Sequence, residues 1–89
     1  MRLSSRGWKR DGLVVWLLEG NQFEFTEVEF AELVESLTGD GLFEILKRDR
    51  PALADQIKNI FPEAASDPAE FEKLEFALEQ RLLDLSMSL

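Results

Sequence analysis

The sequence predicts an α+β fold: an N-terminal antiparallel β-hairpin or three-stranded meander packed on three to four α-helices, the last of them long. Three observations predict it. Leu13 to Leu18 are six consecutive apolar residues, a strand's length, half of them β-branched or aromatic. Turn formers flank that run, Asp11-Gly12 before it and Gly20-Asn21 after it. From Thr26 onward the apolar spacing changes from two to three and four, the period of a helix facing a core. With 89 residues the chain reads as one small domain, 1–89, with the β meander in 1–26 and the helical part in 27–89.

Taken in order, residues 1 to 10 begin polar and end in Gly7-Trp8-Lys9-Arg10 before the Asp11-Gly12 turn. That turn sets Arg10 opposite Leu13 and Trp8 opposite Val15. If Gly20 and Asn21 form the second turn, Leu18 lies opposite Phe23 and Trp16 opposite Phe25, so Val14, Trp16, Leu18, Phe23 and Phe25 share one face, the predicted core. The reverse face then carries Trp8, Leu13, Val15 and Leu17. An antiparallel sheet with one wet face should alternate, and Leu13 to Leu18 does not, so a helix of this chain or a partner must cover the reverse side.

Thr26 is the predicted N-cap of the first helix, with Glu29 completing a capping box and Phe25 and Phe30 forming the hydrophobic staple. That helix runs from Glu27 to about Thr38, with Phe30, Leu33, Val34 and Leu37 inward and Gly39 as its stop. Asp40-Gly41 opens a short helix that ends in Lys47-Arg48-Asp49-Arg50, cations that suit its C-terminal dipole. Asp49 is the expected cap of a third helix, Pro51 to Phe61, with Leu53, Ala54, Ile57, Ile60 and Phe61 as its stripe. Pro62 to Ser66 reads as a connection, after which Asp67, Pro68 and Glu70 supply cap, first-turn proline and capping-box acid for the last helix, Pro68 to about Met87. Phe71, Leu74, Leu78, Leu82, Leu85 and Leu89 form its core stripe. Phe76, Leu83 and Met87 form a second stripe on the far side of the helix at 3.6 residues per turn.

Composition narrows the function. The 45% hydrophobic and 31% charged residues are those of a globular chain. Neither cysteine nor histidine occurs, which excludes disulfides, the usual zinc ligand sets and every Ser-His or Cys-His nucleophile. Carboxylate pairs such as Glu32 with Glu35, or Asp40 with Glu44, arise readily among 18 acids, and a short chain hardly encloses the desolvated cleft that general acid catalysis needs. Neither a calcium loop nor a Gly-rich phosphate loop occurs. The expectation is therefore a protein that is not an enzyme and holds no cofactor or metal.

Charge is strongly segregated. Residues 1–10 carry Arg2, Arg6, Lys9 and Arg10 without an acid, so the net −8 leaves −12 on the other 79 residues. Between Asp11 and Glu44 there is no lysine or arginine, a surface that repels phosphate and predicts no direct nucleic-acid binding. No apolar run approaches the roughly 20 residues that span a bilayer, and the basic start lacks the apolar stretch and cleavage site of a secretory signal. A cytoplasmic location without membrane contact is expected. The function these features predict is a protein-interaction module, an acidic adaptor or regulatory subunit. It would act through two apolar patches, Trp8, Leu13, Val15 and Leu17 on the sheet and Phe76, Leu83 and Met87 on the last helix. An acidic inhibitor of a basic protein is the alternative, of nucleic-acid-mimic, antitoxin or immunity type, using Glu27, Glu32 and Glu35. The two apolar patches also make a homodimer an expectation.

Overall fold

In the computed structural model, which describes residues 3–89, a three-stranded antiparallel sheet is followed by five helices. Arg2 lies outside the described residues. The strands are β1 (Ser5–Arg10), β2 (Leu13–Leu18) and β3 (Asn21–Thr26), in the spatial order β1-β2-β3. The helices are α1 (Glu27–Ser36), α2 (Leu42–Asp49), α3 (Pro51–Ile60), α4 (Pro62–Ser66) and α5 (Pro68–Ser88). The fold is α+β, a meander with its helices following, as the sequence predicts.

The first turn is the expected one: Asp11 and Gly12 both have positive φ, the primed geometry that matches strand twist, and Trp8 pairs with Val15. The second turn is displaced by one residue from the sequence expectation. Glu19 and Gly20, at φ 50 and 80, are its central pair, so Leu18 lies opposite Asn21, Trp16 opposite Phe23 and Val14 opposite Phe25. The cause is a contact the local sequence does not code. Glu19 is tied to the segment before β1, its backbone N–H donating to the Ser4 carbonyl at 2.9 Å and its Oε1 accepting from Ser4 N–H at 2.6 Å. Because the pairing slips by two positions, every side chain keeps its predicted face.

On the core face, Val14, Trp16, Leu18 and Phe25 are buried with Phe30, Leu33, Ile57, Leu74, Leu78 and Leu82. The helix α5 crosses this face at β1, where Leu85 seats against Gly7. A methyl group at Gly7 would run into the Val15 carbonyl oxygen and lie 2.7 and 2.8 Å from the two Leu85 methyls. Gly7→Ala is therefore expected to destabilise by about 1 to 3 kcal/mol as an overpacked contact, read as a lower denaturation midpoint, where a strand glycine elsewhere gains from alanine.

The capping box at α1 is present as predicted. Thr26 Oγ1 accepts from Glu29 N–H at 3.1 Å and Glu29 Oε1 accepts from Thr26 N–H at 2.9 Å. The staple rings of Phe25 and Phe30 are 6.0 Å apart. These hydrogen bonds, the Thr26 backbone N–H first, hold the Glu29 carboxyl below its ordinary value of 4.5, with a smaller pull from Arg50. A lowered folded-state value means stabilisation that is present above the unfolded carboxylate range and lost as pH falls through the folded value. Glu29→Gln is thus expected to flatten the acid limb of a stability–pH curve. Thr26→Ala should cost about 1 kcal/mol at neutral pH, and an unchanged midpoint would contradict the cap.

Four local expectations need correction. Gly39 is not a left-handed stop, since only Gly12 and Gly20 among the described glycines have positive φ; the end of α1 is closed instead by tight turns through Asp40. Asp49 is the last residue of α2 and Arg50 the cap of α3, with no side-chain bond, because Pro51 needs no donor satisfied at that position. Pro62–Ser66 is the short helix α4, which Pro62 starts and the Ser66 hydroxyl, donating to the Glu63 carbonyl at 2.9 Å, helps to close. Glu70 completes no capping box; Asp67 caps α5 by accepting from Ala69 N–H at 3.0 Å, and Glu70 pairs with Lys73 at 3.4 Å.

Candidate functional site

The apolar residues predicted for the reverse sheet face do lie together there. Trp8, Val15 and Glu24 form one row across the three strands, Arg6, Leu17 and Gln22 the next, and Arg10, Leu13 and Thr26 the third. None of Trp8, Leu13, Val15 and Leu17 belongs to the cluster that the helices share with the sheet. Trp8 is 37% exposed, Leu13 and Leu17 are half-buried, and only the central Val15 is shielded, at 4%. Val15 sits in the middle of its row, between its cross-strand partners Trp8 and Glu24.

The second predicted patch is equally outside the core. Phe76 is 63% exposed and Met87 86%, with Leu83 half-buried between them, while Leu74, Leu78 and Leu82 on the other side of α5 are fully buried. A fold in which the two patches cover each other within one chain is thereby excluded, since α5 packs on the opposite face of the sheet. The core stripe itself frays at its ends. Phe71 is partly buried, with its ring 4.5 Å from Phe43, and Leu89 is 39% exposed.

The acidic candidates Glu27, Glu32 and Glu35 are all exposed on α1. Glu27 is tied to the sheet by a half-exposed ion pair with Lys9 at 3.1 Å, a contact worth about 0.2 to 1 kcal/mol. Sequence reasoning missed Val28, which is 67% exposed. The signal was available: Val28, Glu32 and Glu35 are spaced i, i+4 and i+7 and so share a helix face.

Several depressions lie among the helices and along β3, and two of them include acidic candidates. One, of about 210 Å³, is lined by Phe25, Leu33, Ile45 and Leu46 with Glu29, Glu32, Asp49 and Arg50 at its rim. Its Arg50 is already engaged, stacked 4.6 Å over the Phe25 ring and donating to the Glu24 carbonyl at 3.1 Å. The carboxylate Glu29 is held ionised by Thr26, the opposite of the raised pKa that a general acid needs at neutral pH. The other, between α2, α3 and α5, places Lys58 near the Phe43 and Phe71 rings, 6.0 and 5.8 Å away. Among the described residues no three acidic, histidine or cysteine side chains are grouped to hold a metal ion, and no helix is long and apolar enough to cross a membrane. The carboxylate pairs Glu32 with Glu35 and Asp40 with Glu44 do not converge in either depression, since Glu35 and Asp40 line neither.

The apolar groups that stand out on the surface are therefore Trp8 with Leu13 and Leu17, and Phe76 with Leu83 and Met87. Comparison with family models, with curated proteins and with solved structures finds no match.

Proposed function

We propose that the protein is a non-catalytic interaction module that binds other protein surfaces through its two apolar patches. The observation that carries this reading is a sheet with apolar residues on both faces, of which only the Trp16 face joins the core that the helices share, while Trp8 is exposed and Leu13 and Leu17 are half-buried on the other. Burying exposed apolar side chains is the main driving force of association, and contiguous patches of this kind mark contact surfaces. Affinity capture from an extract of the cells that make the protein tests it, using the parent chain, Trp8→Asp and Phe76→Glu as baits. The expected result is a protein held by the parent at both low and high salt, because apolar contacts resist screening, and lost from at least one variant. Identical captured sets on all three baits would overturn the reading.

A second reading is favoured by one observation, the exposed Val28 set among Glu27, Glu32 and Glu35 on α1. An acidic face with an apolar centre suits an inhibitor of a basic protein. Replacing the three glutamates by glutamine should leave stability within about 0.5 kcal/mol, apart from the Lys9 pair, and should slow association with a basic partner in low salt. Equal on-rates for parent and variant would remove this reading.

A further inference from the structure

The reverse face of the sheet has an arrangement of charge that selects its occupant. Its middle column, on β2, is wholly aliphatic, Leu13, Val15 and Leu17. Its β1 column carries two cations about one aromatic ring, Arg6, Trp8 and Arg10. Its β3 column carries one acid, Glu24, whose Oε1 accepts from Gln22 Nε2 at 3.1 Å on the same face. A two-fold axis running along β2 lays the aliphatic column on itself and turns each β1 column onto the β3 column of the other copy. We propose that this face is a homodimer interface, two sheets packed face to face about a two-fold axis parallel to β2, with Glu24 of each copy set between Arg6 and Arg10 of the other. The proposal rests on the reading that the apolar sheet face is a contact surface, and it names the partner as a second copy of this chain.

Two points favour this arrangement, and a third sets its strength. Charge is the first: on a chain of net −8, β1 is the one strand with cations and no acid, so pairing through it opposes two acidic molecules least. Pairing through the α5 patch instead would bring together two helices that each carry Glu70, Glu72, Glu75, Glu79 and Asp84 against Lys73 and Arg81. The second is symmetry, because an isologous contact requires a patch complementary to itself, and columns of cation, aliphatic and acid meet that requirement only for an axis along the middle column. An axis across the strands would set Arg6 and Arg10 against the same cations. The third is area. Strands about 4.8 Å apart and six residues long at about 3.3 Å each give a face of roughly 14 × 20 Å, so two copies cover on the order of 600 Å². Stable interfaces bury about 1,200 to 2,000 Å². The dimer is accordingly a weak, reversible one in the micromolar range or above.

Sedimentation equilibrium with a charge swap tests it. The parent is expected to pass from monomer to dimer between about 5 and about 500 µM, the range open to a small interface. Glu24→Arg alone sets arginine against arginine, and Arg6→Glu with Arg10→Glu sets glutamate against glutamate, so each variant alone should weaken association about tenfold or more. Mixed one to one, the two variants restore both contacts at once, and heterodimer should form with about the parent's affinity. Phe76→Glu should leave the dimer unchanged. As the chain has no cysteine, Glu24→Cys mixed with Arg6→Cys gives a second readout that needs no charge reversal. A short bismaleimide should join unlike chains much faster than like ones. A parent that stays monomeric throughout, a mixture that does not recover, or a dimer that Phe76→Glu dissociates would each overturn the proposal. A monomeric parent whose captured protein is lost on Trp8→Asp would overturn the dimer and leave the interaction reading standing; a parent dimer with identical captured sets on every bait would do the reverse.

Discussion

Trp16→Ala is expected to lower stability by about 3 to 5 kcal/mol, a large share of the roughly 5 to 15 kcal/mol that holds a natural domain together. Trp16 is 1% exposed at the centre of the middle strand, on the face the helices cover. Its ring lies 5.9 Å from that of its cross-strand partner Phe23, and its Nε1–H donates to Ser5 Oγ at 2.8 Å. Alanine opens a cavity under α5, removes the aromatic pair and frees the N-terminal end of β1 from the strand beside it. Chemical denaturation followed by far-ultraviolet circular dichroism checks this, with Ser5→Ala as the companion that isolates the hydrogen bond at about 1 kcal/mol. A Trp16→Ala chain that unfolds at the parent's midpoint would mean that the core lies on the other face of the sheet.

The second large effect is expected from removing two carboxylates together. Glu79 Oε2 accepts from the backbone N–H of Leu42 at 2.9 Å, and Glu75 Oε2 accepts from that of Phe43 at 3.0 Å. These are the first donors of α2, whose own cap residue Gly41 has no side chain to offer. Two turns of α5 thus cap α2 across 32 and 37 residues of sequence, placing negative charge at the positive end of its dipole. A Cβ at Gly41 would stand 3.2 Å from both Glu75 carboxylate oxygens, so a side chain there would make the carboxylate give way by a few tenths of an ångström. Glu75→Ala with Glu79→Ala should cost about 2 to 4 kcal/mol, from two caps at about 1 to 2 kcal/mol each. Glutamine at both sites keeps an acceptor and should recover part of the loss. A double alanine variant within about 0.5 kcal/mol of the parent would contradict the cap.

The two effects differ in how visible they were beforehand. Trp16 stands out in the sequence because six apolar residues between turn formers define a strand, and its partner strand alternates with period two. Glu75 and Glu79 do not stand out at all. On a helix with five acids they read as ordinary solvated charge. Distance in sequence hides such a contact, since nothing local to α2 says which residues of α5 will reach its end. The same limit explains the slipped turn, where Ser4 fixes Glu19 from outside the hairpin.

What the sequence by itself determined is whatever depends on neighbours along the chain: the strands and their faces, the Thr26 capping box, the helix periods, the polarity of charge between β1 and the rest, and the two apolar stripes left over from one small core. What only the tertiary structure decided is how those faces are spent. Leu85 seats on Gly7, so α5 lies on the side of Trp16 and leaves Trp8 exposed, with Leu13 and Leu17 half-buried beside it. From the sequence, α5 was as free to cover one face of the sheet as the other, because both are apolar. The choice rests on shape: Gly7 has no side chain, and that gap on the Trp16 side lets the helix approach closely enough for its leucines to fill the core.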